Sequence, residues 1–131
     1  AFVRILAAEY SSADLMPVHR LSVDAFAVQH PGKTSRQAIQ SVGLHLARLY
    51  YQLERSVAPE EANAFMLRVA ARKPELPRLV PPAQFDVTTA QVSLVAGTPD
   101  HVPAVRTWAQ SAWHSWEHAH AFIKQWAAQS L

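Results

Sequence analysis

The stretch from Pro17 to Gly32, PVHRLSVDAFAVQHPG, carries apolar residues at helical spacing and ends in a Pro-Gly pair. Proline is tolerated in the first turn of a helix, whereas the residue before a proline is disfavoured in helical geometry. A helix is therefore predicted over about 14–29 or 17–29, with a turn after it. Its apolar stripe contains two histidines, His19 and His30, so they face inward.

The same reasoning extends along the rest of the chain, where prolines fall between periodic segments. The remaining predicted helices cover about 1–10, 34–54, 58–72, 88–97 and 98–129. The segment KPELPRLVPPAQF contains four prolines and predicts an irregular crossing over about 73–87. No hairpin signal or internal repeat occurs. The predicted fold is all-α, a single domain over 1–131 built as a bundle of four to five helices.

Composition excludes several classes of protein. Half of the 131 residues are hydrophobic and 17% are charged, which indicates a packed core and excludes disorder. The net charge of +2 and the scattered Lys and Arg argue against nucleic-acid binding. No cysteine is present, so disulfides and thiolate metal sites are excluded. No apolar run approaches the ~18 residues that a membrane span needs. A soluble, cytoplasmic protein is expected.

A helical rotation of 100° per residue separates the seven histidines into inward and outward groups. The inward group is His19, His30, His45 and His120. His114 and His118 have the i, i+4 spacing of metal ligands, but they fall on the polar face of the last helix, where solvent explains them better. His101 lies in the first turn of that helix, which predicts a capping or surface role.

The inward histidines suggest a metal site. His19 and His30 are eleven residues apart, about 16 Å along one helix, so they cannot bind the same ion. One of them with His45 and His120 would give three nitrogen ligands, which suits zinc or another divalent metal with an open position. His30 is preferred because it stands at a helix end, where its ring can reach sideways. Further candidate partners are Glu9, Asp24 and Tyr10. The alternative is that each imidazole is a hydrogen-bonded core or interface residue.

Asp24 has two interpretations. It lies four residues from Arg20 on the same helix, and a surface ion pair is the simpler one. If the helix instead turns this face inward, Asp24 would accept a hydrogen bond from an imidazole and orient it. The predicted polar site therefore includes Asp24 beside the four inward histidines.

Three segments together resemble a family of small bacterial proteins of unknown function. They are VHRLSVDAFAVQHPG, the following SVGLHLARLYYQLE, and the C-terminal tryptophans that precede His120. The family pattern matches Tyr10, His19, Asp24, Gln29, His30, Pro31, His45, Trp116 and His120. The closing histidine pair of that pattern falls on Ala119-His120 here, so one imidazole is missing. The resemblance also implies a short cysteine-bearing segment before the position of Ala1, which this chain would lack.

Two hypotheses of different classes follow. In the first, a small helical-bundle protein carries an inward, histidine-rich polar site that binds a metal. In the second, the chain is a non-catalytic module in which Tyr50, Tyr51 and Trp113, with the proline-rich crossing over 73–83, form an apolar surface for a homodimer or a partner. A metal-assisted hydrolase or transferase rests on analogy of fold alone. The resemblance supplies positions and no activity, so substrate and reaction stay open.

Overall fold

The computed structural model describes residues 1–31, 36–71 and 77–130, and every regular element in these ranges is helical. The α-helices are α1 (Phe2–Tyr10), α2 (His19–Gln29), α3 (Arg36–Leu53), α4 (Pro59–Ala71), α5 (Thr89–Ser93), α6 (His101–Ser115) and α7 (His120–Ser130). Short 3-10 turns cover Met16–Val18 and Glu117–Ala119. The all-α prediction is confirmed, but the described ranges contain seven α-helices instead of the four to five expected. No helix in the described ranges is long and apolar enough to cross a membrane.

The larger count arises partly because the predicted last helix breaks at Trp116. The Trp116 backbone has φ −96° and ψ 20°, and its N–H bonds to the Trp113 carbonyl. His120 Nε2 donates to the same carbonyl at 2.7 Å, and the Trp116 indole donates to the Val28 carbonyl at 3.0 Å. These hydrogen bonds give partners to polar groups of Trp113 and Trp116 at the break. No proline or glycine stands at the break, so the sequence gives no sign of it.

Helix α2 lies at the centre of the bundle, packed between α3 and α6. Helix α3 contacts α4 and α7 on its other sides. The C-terminal helices bury an apolar face in the bundle, and its buried residues are Val105, Trp108, Ala112, Trp116, Ala119 and Ile123. The Trp108 indole donates to Gln29 Oε1 at 2.9 Å, so this large buried ring keeps a polar partner.

The described part of the proline-rich crossing is non-helical and bonds to the bundle at two points. His118 Nε2 donates to the Val80 carbonyl at 2.6 Å, and Gln29 Nε2 donates to the Val87 carbonyl at 2.6 Å. His118 is exposed, as predicted, yet it contacts the crossing as well as solvent. The part of the predicted crossing before residue 77 lies outside the described residues.

Candidate functional site

The histidines of the predicted zinc site bond to separate partners. His30 is exposed and donates through Nδ1 to the Phe26 carbonyl at 2.8 Å. His120 donates to the Trp113 carbonyl and stacks on the Trp113 ring, with centroids 3.7 Å apart. His45 belongs to a third environment, on α3. No group of three or more His, Cys, Asp or Glu suited to a metal occurs in the part of the chain that the structure describes. The structure therefore gives the zinc prediction no support.

One buried carboxylate, Asp24 on α2, accepts hydrogen bonds from three side chains of α3. It accepts from His45 Nδ1 at 2.7 Å, from Arg48 Nε at 2.8 Å and from Gln52 Nε2 at 2.9 Å. A second guanidinium nitrogen, Arg48 Nη2, lies 2.6 Å from the carboxylate. Arg48 also donates to Asn63 Oδ1 at 2.7 Å. The carboxylate thus holds α2 against α3, and Arg48 extends the network to α4.

This arrangement selects between the two interpretations of Asp24. Its side chain is fully buried and its cationic partner is Arg48, so the simpler expectation of a surface pair with Arg20 is incorrect. The alternative, that Asp24 orients an imidazole, agrees with its bond to His45 Nδ1. The charge of this carboxylate is already balanced by the guanidinium.

A second buried carboxylate, Glu9, joins α1 to α2 and α6. Its Oε1 accepts from His19 Nδ1 at 3.0 Å, and its Oε2 accepts from His101 Nε2 at 3.0 Å and from the Ser22 hydroxyl. Glu9, Ser22 and His101 are fully buried, and His19 is 9% exposed. The prediction of a capping or surface role for His101 is therefore wrong.

The hydrogen bonds assign a proton to each imidazole of the Glu9 cluster. The Gly97 N–H donates to His101 Nδ1 at 3.0 Å, so the His101 ring carries its hydrogen on Nε2, toward Glu9. His19 donates through Nδ1 to the carboxylate, which leaves Nε2 of its neutral ring as an acceptor. Nε2 lies 3.2 Å from the Tyr10 hydroxyl, which donates to it. Tyr10 is 66% exposed, so the line of groups runs from buried carboxylate to solvent.

The two clusters differ in their charge balance. Asp24 is paired with the guanidinium of Arg48, whereas the partners of Glu9 among the described residues are two imidazoles and one hydroxyl. A proton taken up by His19 would therefore form an ion pair with Glu9, which no Lys or Arg of the described residues contacts. His101 is less suited to this, because its second ring nitrogen already faces the Gly97 N–H.

The predicted interface residues belong largely to the protein's own core. Tyr51 is 2% exposed and Trp113 is 6% exposed, while Tyr50 is half-buried and stacks against Trp113. The Trp113 indole donates to Glu54, which also pairs with Lys124 at 2.9 Å. Burial raises the pKa of Glu54, but the hydrogen bonds from Lys124 and Trp113 outweigh it, and the pKa falls below its ordinary value.

Sequence reasoning identified some members of these clusters and missed others. It named Glu9 and Tyr10 as possible partners of the inward histidines, and the structure places both against His19. Ser22 and His101 were missed. Ser22 lies one helical turn after His19, a spacing that could have suggested it. His101 is 92 residues from Glu9 along the chain, and no local pattern reports such a contact.

Comparison with known proteins gives one match. The sequence model of a family of unknown function, DUF5946, matches residues 1–117. No curated protein and no solved structure matches the chain. The geometry of the clusters is therefore the main basis for inferring what the chain does.

Proposed function

We propose that this chain, which belongs to DUF5946, a family of unknown function, contains an acid–base centre. In this centre, His19 activates the Tyr10 hydroxyl as a nucleophile. One observation supports this above all others. The buried carboxylate of Glu9 accepts from His19 at 3.0 Å, and the far side of the same ring accepts from Tyr10 at 3.2 Å.

This arrangement has the three parts of an activated nucleophile. A nucleophile and its base lie within hydrogen-bond reach, and a third group orients the base. Tyr10 supplies the nucleophilic oxygen, His19 the base, and Glu9 the orienting acceptor. The partners of Glu9 on α2 and α6 hold the carboxylate in place, so the direction of the imidazole is set by buried groups.

The proposed reaction is acyl transfer from an activated ester. As the Tyr10 oxygen attacks the carbonyl carbon, its proton passes to His19 Nε2, and the imidazolium that forms is paired with Glu9. The bond from the carbonyl carbon to the leaving oxygen then breaks, and His19 returns the proton to that oxygen. The products are a tyrosyl ester and the leaving alcohol or phenol.

The second carboxylate–imidazole pair is less suited to this chemistry. Asp24 already balances Arg48, so a proton on His45 would add a second positive charge to a paired carboxylate. No hydroxyl among the described residues bonds to His45. We assign the Asp24 network to holding α2, α3 and α4 together, and the proton transfer to the Glu9 cluster.

The partner-binding hypothesis has weaker support. It relied on an exposed surface of Tyr50, Tyr51 and Trp113, and two of these three side chains are buried in the core.

The test is the rate at which p-nitrophenyl acetate acetylates Tyr10, followed by peptide mass spectrometry and by release of p-nitrophenol. The variant His19→Asn removes the base, and His114→Asn is a matched control because His114 is exposed on α6. General-base assistance contributes about 10²–10⁴-fold. We expect Tyr10 acetylation to slow at least tenfold in His19→Asn and to be unchanged in the control.

The pH profile separates proton transfer from a structural role of His19. Only an unprotonated imidazole can accept the Tyr10 proton, so the wild type should show a rise of the acetylation rate with pH that is absent in His19→Asn. The titratable groups that face His19 are Glu9 and Tyr10 from α1, with His101 from α6 beyond Glu9. Circular dichroism verifies that the variant is folded. Equal Tyr10 acetylation rates in wild type and His19→Asn, or no acetylation of Tyr10, would overturn the proposal.

A further inference from the structure

A cavity of about 570 Å³ opens between the start of α1, the C-terminal end of α2 and the start of α5. Its aromatic walls are Phe2, Phe26, His30 and Phe85, and we name it the aromatic pocket. The volume lies within the range of small-molecule sites, about 300–1,000 Å³. His19 lies about 16 Å from His30 along α2, so the pocket is independent of the proposed acid–base centre.

Stacked rings form one wall of the aromatic pocket. Phe2 and Phe26 are parallel within 3°, with centroids 3.9 Å apart. His30 stacks on Phe26 with centroids 4.1 Å apart. Phe2 makes a T-shaped contact with the buried Trp108 at a centroid distance of 6.5 Å, which holds the stack against the core. A planar ligand that stacked on this wall would be stabilised, because flat aromatic surfaces stack favourably.

The polar groups of the pocket restrict the chemistry of its ligand. His30 is exposed and donates through Nδ1 to the Phe26 carbonyl, so when the ring is neutral its Nε2 is an acceptor. The Gln29 amide is occupied, since it bonds to the Val87 carbonyl and to the Trp108 indole. Two hydroxyls also line the pocket: Thr88 Oγ1 accepts from the Gln91 N–H, whereas Thr89 Oγ1 has no hydrogen-bond partner among the described residues. No Asp, Glu, Lys or Arg side chain is among the described residues of the lining.

We propose that the aromatic pocket binds a small, uncharged, planar aromatic molecule that donates one N–H or O–H hydrogen bond to His30 Nε2. The stacked wall recognises the ring, and the bare nitrogen recognises the donor. A carboxylate or phosphate is disfavoured, because no cationic side chain in the described lining would compensate its desolvation.

Three probes test this proposal by ¹H–¹⁵N correlation spectra of the protein. Indole carries a ring and a donor, 1-methylindole lacks the donor, and benzoate carries a charge. We expect indole to shift the backbone signals of the residues that line the aromatic pocket and to bind about five- to tenfold more tightly than 1-methylindole, the effect of one hydrogen bond. Benzoate should bind more weakly than both.

Two variants locate the donor contact. His30→Phe keeps a flat ring but removes the acceptor, and it should bind the two indoles equally. His114→Phe, at an exposed site on α6, should keep the wild-type preference. The proposal is overturned if indole shifts no pocket signal up to its solubility limit, if wild type binds the two indoles equally, or if His30→Phe retains the preference.

Discussion

Replacing Arg48 with Met should strongly destabilise the protein. Arg48 is 2% exposed and Asp24 fully buried, and the guanidinium donates to Asp24 through Nε and pairs with it through Nη2. Removing one partner of a buried ion pair costs about 3–5 kcal/mol, because the other charge stays buried. His45 and Gln52 would continue to donate to Asp24, so we expect the lower end, ~3 kcal/mol.

Urea unfolding followed by far-ultraviolet circular dichroism measures this cost. The free energy of unfolding of a domain is only about 5–15 kcal/mol, so the urea concentration at half-unfolding should fall clearly in the variant. The dependence of the free energy of unfolding on urea concentration should be unchanged. Arg106→Met, at an exposed position on α6, is the matched control and should change stability by less than ~0.5 kcal/mol. Adding Asp24→Asn to Arg48→Met should recover ~1 kcal/mol or more, since no charge then stays buried. A loss below ~1 kcal/mol in Arg48→Met would refute this reasoning.

Three further predictions concern other sites. The Tyr51 hydroxyl is buried without a hydrogen-bond partner among the described residues, and burial raises its pKa. Tyr51→Phe should therefore leave the free energy of unfolding unchanged or raise it by up to ~1 kcal/mol. A clear decrease of this free energy, measured by urea unfolding, would contradict the prediction. Hydrogen bonds from Lys124 and Trp113 outweigh burial and lower the pKa of Glu54. The ionised Glu54 side chain therefore stabilises the fold above its unfolded pKa, and this stabilisation is lost as pH falls through its folded pKa. Glu54→Gln should reduce the fall of Tm between neutral pH and about pH 3, whereas parallel Tm–pH curves for the wild type and the variant would exclude this contribution. Gly97 has φ +79°, and a Cβ at this position would have room, since its nearest neighbour would lie at 3.7 Å. Gly97→Ala should still lower the free energy of unfolding by about 1 kcal/mol, because the backbone conformation is strained for alanine. An unchanged Tm would contradict this prediction.

Helical periodicity predicted the class of the fold and most helix positions, because those follow from local spacing. Helix α3 was expected over about 34–54 and covers Arg36–Leu53, and α4 was expected over about 58–72 and covers Pro59–Ala71. The break at Trp116 was not predictable in this way. It depends on the Val28 carbonyl, 88 residues away, and on the side chain of His120.

In the candidate site too, local spacing predicted the direction of a side chain on its helix but not its contacts with other helices. Phase along a helix predicted that His19 and His30 both face inward; the burial of His19 agrees with this, whereas His30 is exposed. Helical periodicity could not predict that Glu9 bonds to both His19 on α2 and His101 on α6, because these hydrogen bonds depend on how three helices pack. The pairing of Asp24 with Arg48 was missed for the same reason.

The most direct test of the proposed acid–base centre is the position of the imidazole protons. Long-range ¹H–¹⁵N spectra distinguish the two ring nitrogens of each histidine, with variants at His19 and His101 for assignment. At mildly alkaline pH we predict that His19 carries its proton on Nδ1, toward Glu9, with a bare Nε2 toward Tyr10, and that His101 carries its proton on Nε2. A proton on His19 Nε2 would contradict the proposal, because the ring could not then accept the Tyr10 proton.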